Sequence, residues 1–383
     1  MRDIYVVKKI LRVSSVLLFS VLFYVVSVPA SSGIPITDRY VVIVILGLVL
    51  MASVRNIPTK ISIDIFNFLW FSLIVIVFIS SLYNKIAMSG VVNTVLIYIL
   101  YFQVMAKNMN SLCDVSIGLI VFGDVLLAEC LQTQGLVMFW YRGIMENPNQ
   151  LGVTLVAPFV ACLYFAFSEK YNNKYVNILI IANALFFLFI LWCTSCRSGL
   201  LACVISLFII GLWKINTLDF ARNKLVFLNV MLSVVMLIVI LNADDILAFI
   251  SKTFIYKYGS ATSDISSDRY DMWKQVLSES RAWGYGHVYL ACHNDFFAYV
   301  QKYGWIFSFL LYFYIALTVA VLPRIKGDKW EKIFCGIYIV SCVIVSLFEE
   351  IISMFGKPLV MMMFISMGLI VKEYRRRRLR KEW

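Results

Sequence analysis

Long apolar runs alternate with short polar joints from one end of the chain to the other. A helix that crosses the hydrocarbon core of a bilayer needs about 20 mostly apolar residues, with a range of roughly 17–25. Runs of that character fall at residues 13–30, 40–54, 62–82, 91–106, 113–132, 150–168, 175–195, 199–213, 225–242, 305–323, 333–351 and 358–371. That makes about twelve candidate spans; several are short, and eleven is the alternative count. Runs 175–195 and 199–213 are separated by so few residues that a tight reversal is required. The first run ends Val28-Pro29-Ala30-Ser31-Ser32, which looks like a cleavage site. Its apolar stretch is longer than the roughly 7–15 residues of a signal-peptide core, so it is expected to remain a span. The pattern therefore predicts an all-α polytopic membrane protein, with residues 1–383 as a single transmembrane domain. A long extracytoplasmic loop, 243–304, lies between the ninth and tenth spans.

Composition agrees with the pattern. Apolar residues make up 62% of the chain and charged residues 15%, against about 45–50% and 25% in a soluble domain. A soluble enzyme and a disordered chain are both excluded. The net charge of +12 reads first as topology and not as nucleic-acid binding. With both termini in the cytoplasm, the inner segments hold 23 of the 34 Lys and Arg residues and the outer side holds 11. Six of those 11 lie in the long loop, where the positive-inside rule is weak. The run Arg375-Arg376-Arg377-Arg378 is expected to anchor the last span on anionic lipid. The nine cysteines form no C-x-x-C pair, and His287 and His293 are the only histidines. Neither a disulfide framework nor a metal site is expected.

The outer polar segments carry the candidate chemistry. In Glu146-Asn147-Pro148-Asn149, Asn147 is a natural helix N-cap and Pro148 a natural first helical residue, with Arg142 just upstream. In Ser195-Cys196-Arg197-Ser198 a serine cap is expected to open the next span beside Arg197. Within the long loop, Asp268 is expected to cap a helix that begins with Arg269. Tyr270, Trp273, Val276 and Leu277 would form its apolar face along the membrane surface. His293-Asn294-Asp295 then opens a further helix that stops at Gly304. Three arginines and one histidine thus lie near helix N-termini, which already carry partial positive charge and free N–H groups. Arginine there disfavours the helix, so its repetition points to an anion. A phosphate or pyrophosphate suits the planar donor fork of arginine.

Each residue also has a plainer reading. Arg142 fits an interfacial flank, Arg269 a solvated charge paired with Asp268 or Asp271, and both histidines structural roles. Arg197 is harder to dismiss, because arginine at membrane depth is costly. His293 at a helix start would be held neutral and competent as a base. Asp124, Glu129, Glu349 and Glu350 lie in or at the ends of apolar runs. They fit a transporter's proton relay, or, for Glu349 and Glu350, interfacial solvation.

At these residues the chain resembles the O-antigen polymerase and O-antigen ligase superfamily of bacterial inner membranes. Arg142-Gly143 with Asn147-Pro148-Asn149-Gln150-Leu151-Gly152 is similar to the family's Arg-Gly…Asn-Pro-Asn-x-x-Gly stretch. Thr194-Ser195-Cys196-Arg197-Ser198-Gly199 is similar to its Thr-x-Ser-Arg-Ser/Gly joint, with Cys196 at the usual serine. Asp268-Arg269…Trp273, Gly284-Tyr285-Gly286 and His293-Asn294-Asp295…Gly304 follow the outer-loop pattern, in order. The resemblance covers about 135–320; the flanks agree only in hydropathy.

The resemblance implies a GT-C-like membrane glycosyltransferase with its active site facing the periplasm and no cofactor, metal or nucleotide. The donor would be a glycan on undecaprenyl pyrophosphate. Arg197 and Arg269 would hold the pyrophosphate, and His293 would contact or deprotonate the acceptor. Arg142, Asn147, Asn149, Arg281 and Asn294 would position the glycans. Implied partners are the lipid-linked donor and acceptor, membrane lipids, a chain-length regulator and a flippase. Polymerase and ligase share these motifs; the loop length and the compact chain favour the polymerase. A lipid-linked glycan flippase or another transporter remains the reading from a different class. It would be expected to show internal pseudo-repeats, and the sequence shows none.

Overall fold

Among the described residues every regular element is a helix, and no strand is present. The structure is a computed structural model. It describes residues 16–17, 19–25, 27, 64–99, 102, 110–168, 173–217, 269–325, 329–352 and 357–381. The helices are α1 (Ile65–Tyr83), α2 (Ser89–Ile97), α3 (Asn110–Gln134), α4 (Pro148–Phe167), α5 (Lys174–Thr194) and α6 (Arg197–Thr217). They continue with α7 (Arg269–Glu279), α8 (Asp295–Tyr303), α9 (Trp305–Val321), α10 (Lys329–Ser346) and α11 (Pro358–Lys381). Residues 16–27, where described, are helical. The expected spans 40–54 and 225–242 and the long loop from 243 to 268, with the cap Asp268, lie outside the described residues.

Among the described residues four helices are long and apolar enough to cross a membrane: Ile65–Tyr83, Pro148–Phe167, Lys174–Thr194 and Trp305–Arg324. Their environments differ. α4 is buried on nearly all sides from Leu151 to Phe165. α5 packs against it and still leaves Leu179 and Leu185 more than half exposed, as are Phe68 on α1, Phe208 on α6 and Phe309 on α9. Soluble monomers rarely tolerate so broad an apolar surface. A helix that is apolar all round needs a core or lipid against it, so this bundle is a membrane protein.

Local chemistry sets the helix ends. Asn147 caps α4 by accepting the Gln150 N–H at 2.9 Å, with Pro148 at the first helical position. Ser195 does not open α6. It closes α5 in the left-handed conformation, φ 57°. Only Ser195 and Cys196 lie between the two helices, and Ser195 serves the helix that ends there. Polar pairs fasten the interior, as expected where apolar side chains gain little from leaving lipid. Ser206 Oγ meets Ser341 Oγ at 2.9 Å between α6 and α10. Asn183 donates to Asp124 at 2.9 Å between α5 and α3, and the Tyr24 hydroxyl donates to Glu129. Asp124 and Glu129 thus serve as interhelical fasteners on α3.

The two ends of the bundle differ. At one end Arg375 of α11 donates to Asp64, which caps α1, and to Asn67. Arg376 pairs with Glu373 of its own helix. Two arginines of the basic run are therefore engaged by protein carboxylates. At the other end the 135–147 loop, the α5–α6 joint, the 280–294 segment and the turn after α10 come together. Ser80 and Asn84 bind the Trp283 carbonyl at 2.7 and 3.2 Å. Tyr141 N–H donates to the Cys193 carbonyl at 3.0 Å.

Candidate functional site

A close approach of backbones builds the loop end. Gly152, in the second turn of α4, faces the α5–α6 joint. A Cβ there would run into Cys196 Cβ and lie 2.7 Å from Thr194 Oγ1. Glycine lets the joint sit directly on α4, and Cys196 Sγ then reaches the Asn149 carbonyl at 3.8 Å. Arg197 is thereby fixed beside the first turn of α4. It is partly buried, and its charge is disfavoured first by that burial and then by the neighbouring charge of Arg269.

Helical spacing delivers Arg269. Residues 269, 273 and 276 share one face of α7. Val276 is fully buried with Cys292 and Val300, and Met272, Trp273 and Phe297 pack around them. The Trp273 indole N–H donates to the Cys292 carbonyl at 2.9 Å and its ring stacks on Phe297. The apolar face is therefore Met272-Trp273-Val276. Tyr270 and Leu277, expected on it, are 68% and 47% exposed. Docking this face on α8 turns Arg269 toward the turn after α10.

His293 lies one residue before the cap of α8. Asn294 is the cap, accepting the Phe297 N–H at 3.2 Å. His293 adopts the left-handed conformation, φ 49°, and is exposed. This conformation is uncommon for a residue with a Cβ, though histidine visits it more than most. The ring consequently faces Glu349, and not the free N–H groups of the helix end on which its sequence reading rested. Asn294 also donates to the Leu347 carbonyl at 2.9 Å. The Asp295 carboxylate accepts the Ile351 and Ile352 N–H groups at 2.8 and 2.7 Å. These bonds pin the turn after α10 to the start of α8.

That turn carries the residue at the centre of the site. Glu349 Oε1 accepts from Asn149 Nδ2 at 2.9 Å and lies 3.7 Å from Arg269 Nη2; Oε2 lies 3.8 Å from His293 Nδ1. Its side chain is 16% exposed, against 51% for His293. Glu350, next to it, accepts the backbone N–H groups of Cys292 and His293. Burial pushes its carboxyl above the usual carboxylate range; the His293 charge and those N–H groups oppose the rise. One carboxylate thus joins Asn149, Arg269 and His293, from segments up to 200 residues apart, and Arg197 stands within electrostatic reach of Arg269.

The remaining expected site residues are placed differently. Asn147 spends its side-chain oxygen on capping α4, and Asn294 spends both side-chain groups on α8 and the α10 turn. Arg281 lies over the Tyr285 ring at 4.4 Å. Arg142 is exposed on the 135–147 loop. Among the described residues neither arginine touches Glu349 or His293. His287 is exposed, with Nδ1 3.1 Å from the Tyr285 carbonyl. Sequence reading missed Glu349 as a site residue. Its signal was two adjacent carboxylates at the end of an apolar run, on the same side as the candidate cations.

Among the described residues no three His, Cys, Asp or Glu side chains are gathered as a metal site. The arrangement offers two guanidinium groups, an imidazole and a carboxylate at one end of an apolar bundle. Such a set can hold a multiply charged anion and move one proton beside it. No protein-family model matches the chain, and no curated protein matches it.

Proposed function

We propose that the protein is a membrane glycosyltransferase that polymerises oligosaccharide repeat units carried on undecaprenyl pyrophosphate, at the outer face of a bacterial inner membrane. The observation that carries this reading is the convergence of Arg269 and His293 on Glu349, with Arg197 within electrostatic reach of Arg269, at one end of an apolar bundle. The twelve-span, GT-C-like architecture and the cytoplasmic placement of both termini belong to the same proposal.

The chemistry follows from the groups present. The acceptor hydroxyl oxygen attacks the anomeric carbon of the donor glycan as the bond from that carbon to the pyrophosphate oxygen breaks. The bonding pair leaves with the pyrophosphate, and Arg197 and Arg269 neutralise the charge that develops there. The hydroxyl proton passes to His293 through Nε2, the ring nitrogen opposite the one that faces Glu349. Pyrophosphate is a good leaving group once its charge is held, so one base of ordinary strength suffices. Arg142 and Arg281, exposed at the same end, are available to the glycan chains.

Glycan profiling of a strain lacking the gene tests the reading. A lost polymerase leaves single repeat units on the core in place of a ladder. Bare core with accumulated lipid-linked polymer would make the enzyme a ligase. Repeat units trapped on the cytoplasmic face would make the protein a flippase and overturn the transferase reading.

A further inference from the structure

The least expected feature of the site is an acid among groups suited to an anion. Glu349 is mostly buried and stands where a phosphate oxygen would otherwise find Arg269 and Asn149. A carboxylate there repels an incoming pyrophosphate, so for donor binding alone it is a disadvantage. Its contacts supply the opposing benefit. Asn149 belongs to the first turn of α4, Arg269 to α7 and His293 to the lead-in of α8. The His293 side chain is exposed and rides on a left-handed residue, and the carboxylates that face it are Glu349 and Glu350.

We infer that Glu349 is a positioning residue: it orients the His293 ring through Nδ1 and holds Arg269 in place until the donor's pyrophosphate takes over that arginine. This role rests on the transfer reaction proposed above. The Nδ1–Oε2 separation of 3.8 Å is an electrostatic contact and longer than a hydrogen bond. Such contacts often tighten only when substrate is bound. Once pyrophosphate engages Arg269, Glu349 loses its contact with that arginine and keeps those with Asn149 and the Nδ1 side of His293. Donor binding and orientation of the base are thereby coupled through one side chain. Glu350 also attracts the His293 ring and accepts the backbone N–H groups of Cys292 and His293; Glu349 alone of the two also contacts Arg269.

The role predicts a divergence that a merely structural strap does not. Removing the Glu349 charge should tighten anion binding while slowing the reaction. The test uses the full-length protein in nanodiscs with a polyprenyl-pyrophosphate-linked glycan, comparing wild type, Glu349→Gln, Glu349→Asp and Glu279→Gln. Inorganic pyrophosphate serves as inhibitor and as calorimetric ligand. Glu349→Gln should lower kcat about 10- to 100-fold and bind pyrophosphate about three- to tenfold more tightly. Glu349→Asp keeps the charge on a shorter arm and should recover part of kcat. Glu279→Gln, an exposed carboxylate on α7, should match wild type. Unchanged kcat in Glu349→Gln overturns the role alone. So does a joint loss of kcat and pyrophosphate binding that Glu349→Asp does not relieve. A wild type that neither transfers glycan nor binds pyrophosphate overturns the parent reading, and this role with it.

Discussion

Asp295 is the residue whose loss should most directly dismantle the site without touching substrate. It is the first residue of α8, is fully buried, and accepts the Ile351 and Ile352 N–H groups at 2.8 and 2.7 Å. Glu349 and Glu350 immediately precede those residues. Hydrogen bonds to a charged acceptor contribute roughly 1.5–3 kcal/mol each, and buried donors left unpaired cost a similar amount. Asp295→Ala removes both bonds, for a loss of about 3–6 kcal/mol. Asp295→Asn keeps one acceptor oxygen without the charge and should lose about 2 kcal/mol. Thermal unfolding of the purified protein should fall by at least about 6 °C for the alanine variant and less for asparagine. A local reporter separates undocking of the turn from general weakening. Ile351 is 3% exposed, so Ile351→Cys should resist maleimide in the wild-type background and react once Asp295 is replaced. All nine native cysteines are buried, which keeps the background low. An Asp295→Ala protein that melts as wild type, with Ile351→Cys still protected, would refute the claim that this carboxylate pins the turn.

Four further expectations follow from the geometry. Arg269→Lys and Arg197→Lys keep charge but lose the paired donors, so each should retain partial turnover. The alanine variants should lose about 3–4 kcal/mol of transition-state stabilisation, roughly 10²- to 10³-fold in rate, at normal membrane levels; wild-type polymer from Arg269→Ala would reduce it to a loop charge. His287→Ala should slow transfer less than tenfold while His293→Ala nearly abolishes it, and full activity in His293→Gln would exclude proton transfer by that ring. Cys292 is pushed up to about 11, chiefly by burial and then by the Glu350 charge. Because the thiolate is the reactive form, mass spectrometry after iodoacetamide at pH 7.5 should find it unmodified, and modification there would mean that the loop opens. In intact spheroplasts an impermeant maleimide should label Lys274→Cys and spare Arg376→Cys; the reverse pattern would invert the topology.

The parts of this molecule legible in its sequence are those fixed by neighbours along the chain. Asn147-Pro148 announces the start of α4 because cap and first helical residue act within one turn. The tight joint before Arg197 is visible because two apolar runs nearly touch. His293 was harder: in His-Asn-Asp any of the three can begin a helix, and the hydrogen bond from Phe297 N–H to Asn294 decides it. The apolar face of α7 was assigned one step around the helix, because Tyr270 and Leu277 are as hydrophobic as the residues that α8 covers. Glu349 was illegible as a hub. Its partners lie 200, 80 and 56 positions away, and a carboxylate closing an apolar run looks like any interfacial residue. Only the docking of α4, α7 and the α10 turn onto one another gives it a role.

The central claim is that Arg197, Arg269 and His293 form one centre for glycan transfer from a lipid pyrophosphate. The most direct measurement is a single-turnover assay of the purified protein in nanodiscs, with a synthetic polyprenyl-pyrophosphate oligosaccharide as both donor and acceptor, in the presence of EDTA. Wild type should extend the glycan by one repeat and release polyprenyl pyrophosphate in equal amount. Arg269→Ala should fail to retain donor, and His293→Ala should retain donor without extending it. Equal loss of donor binding in all variants, or extension that persists in His293→Ala, would contradict the account.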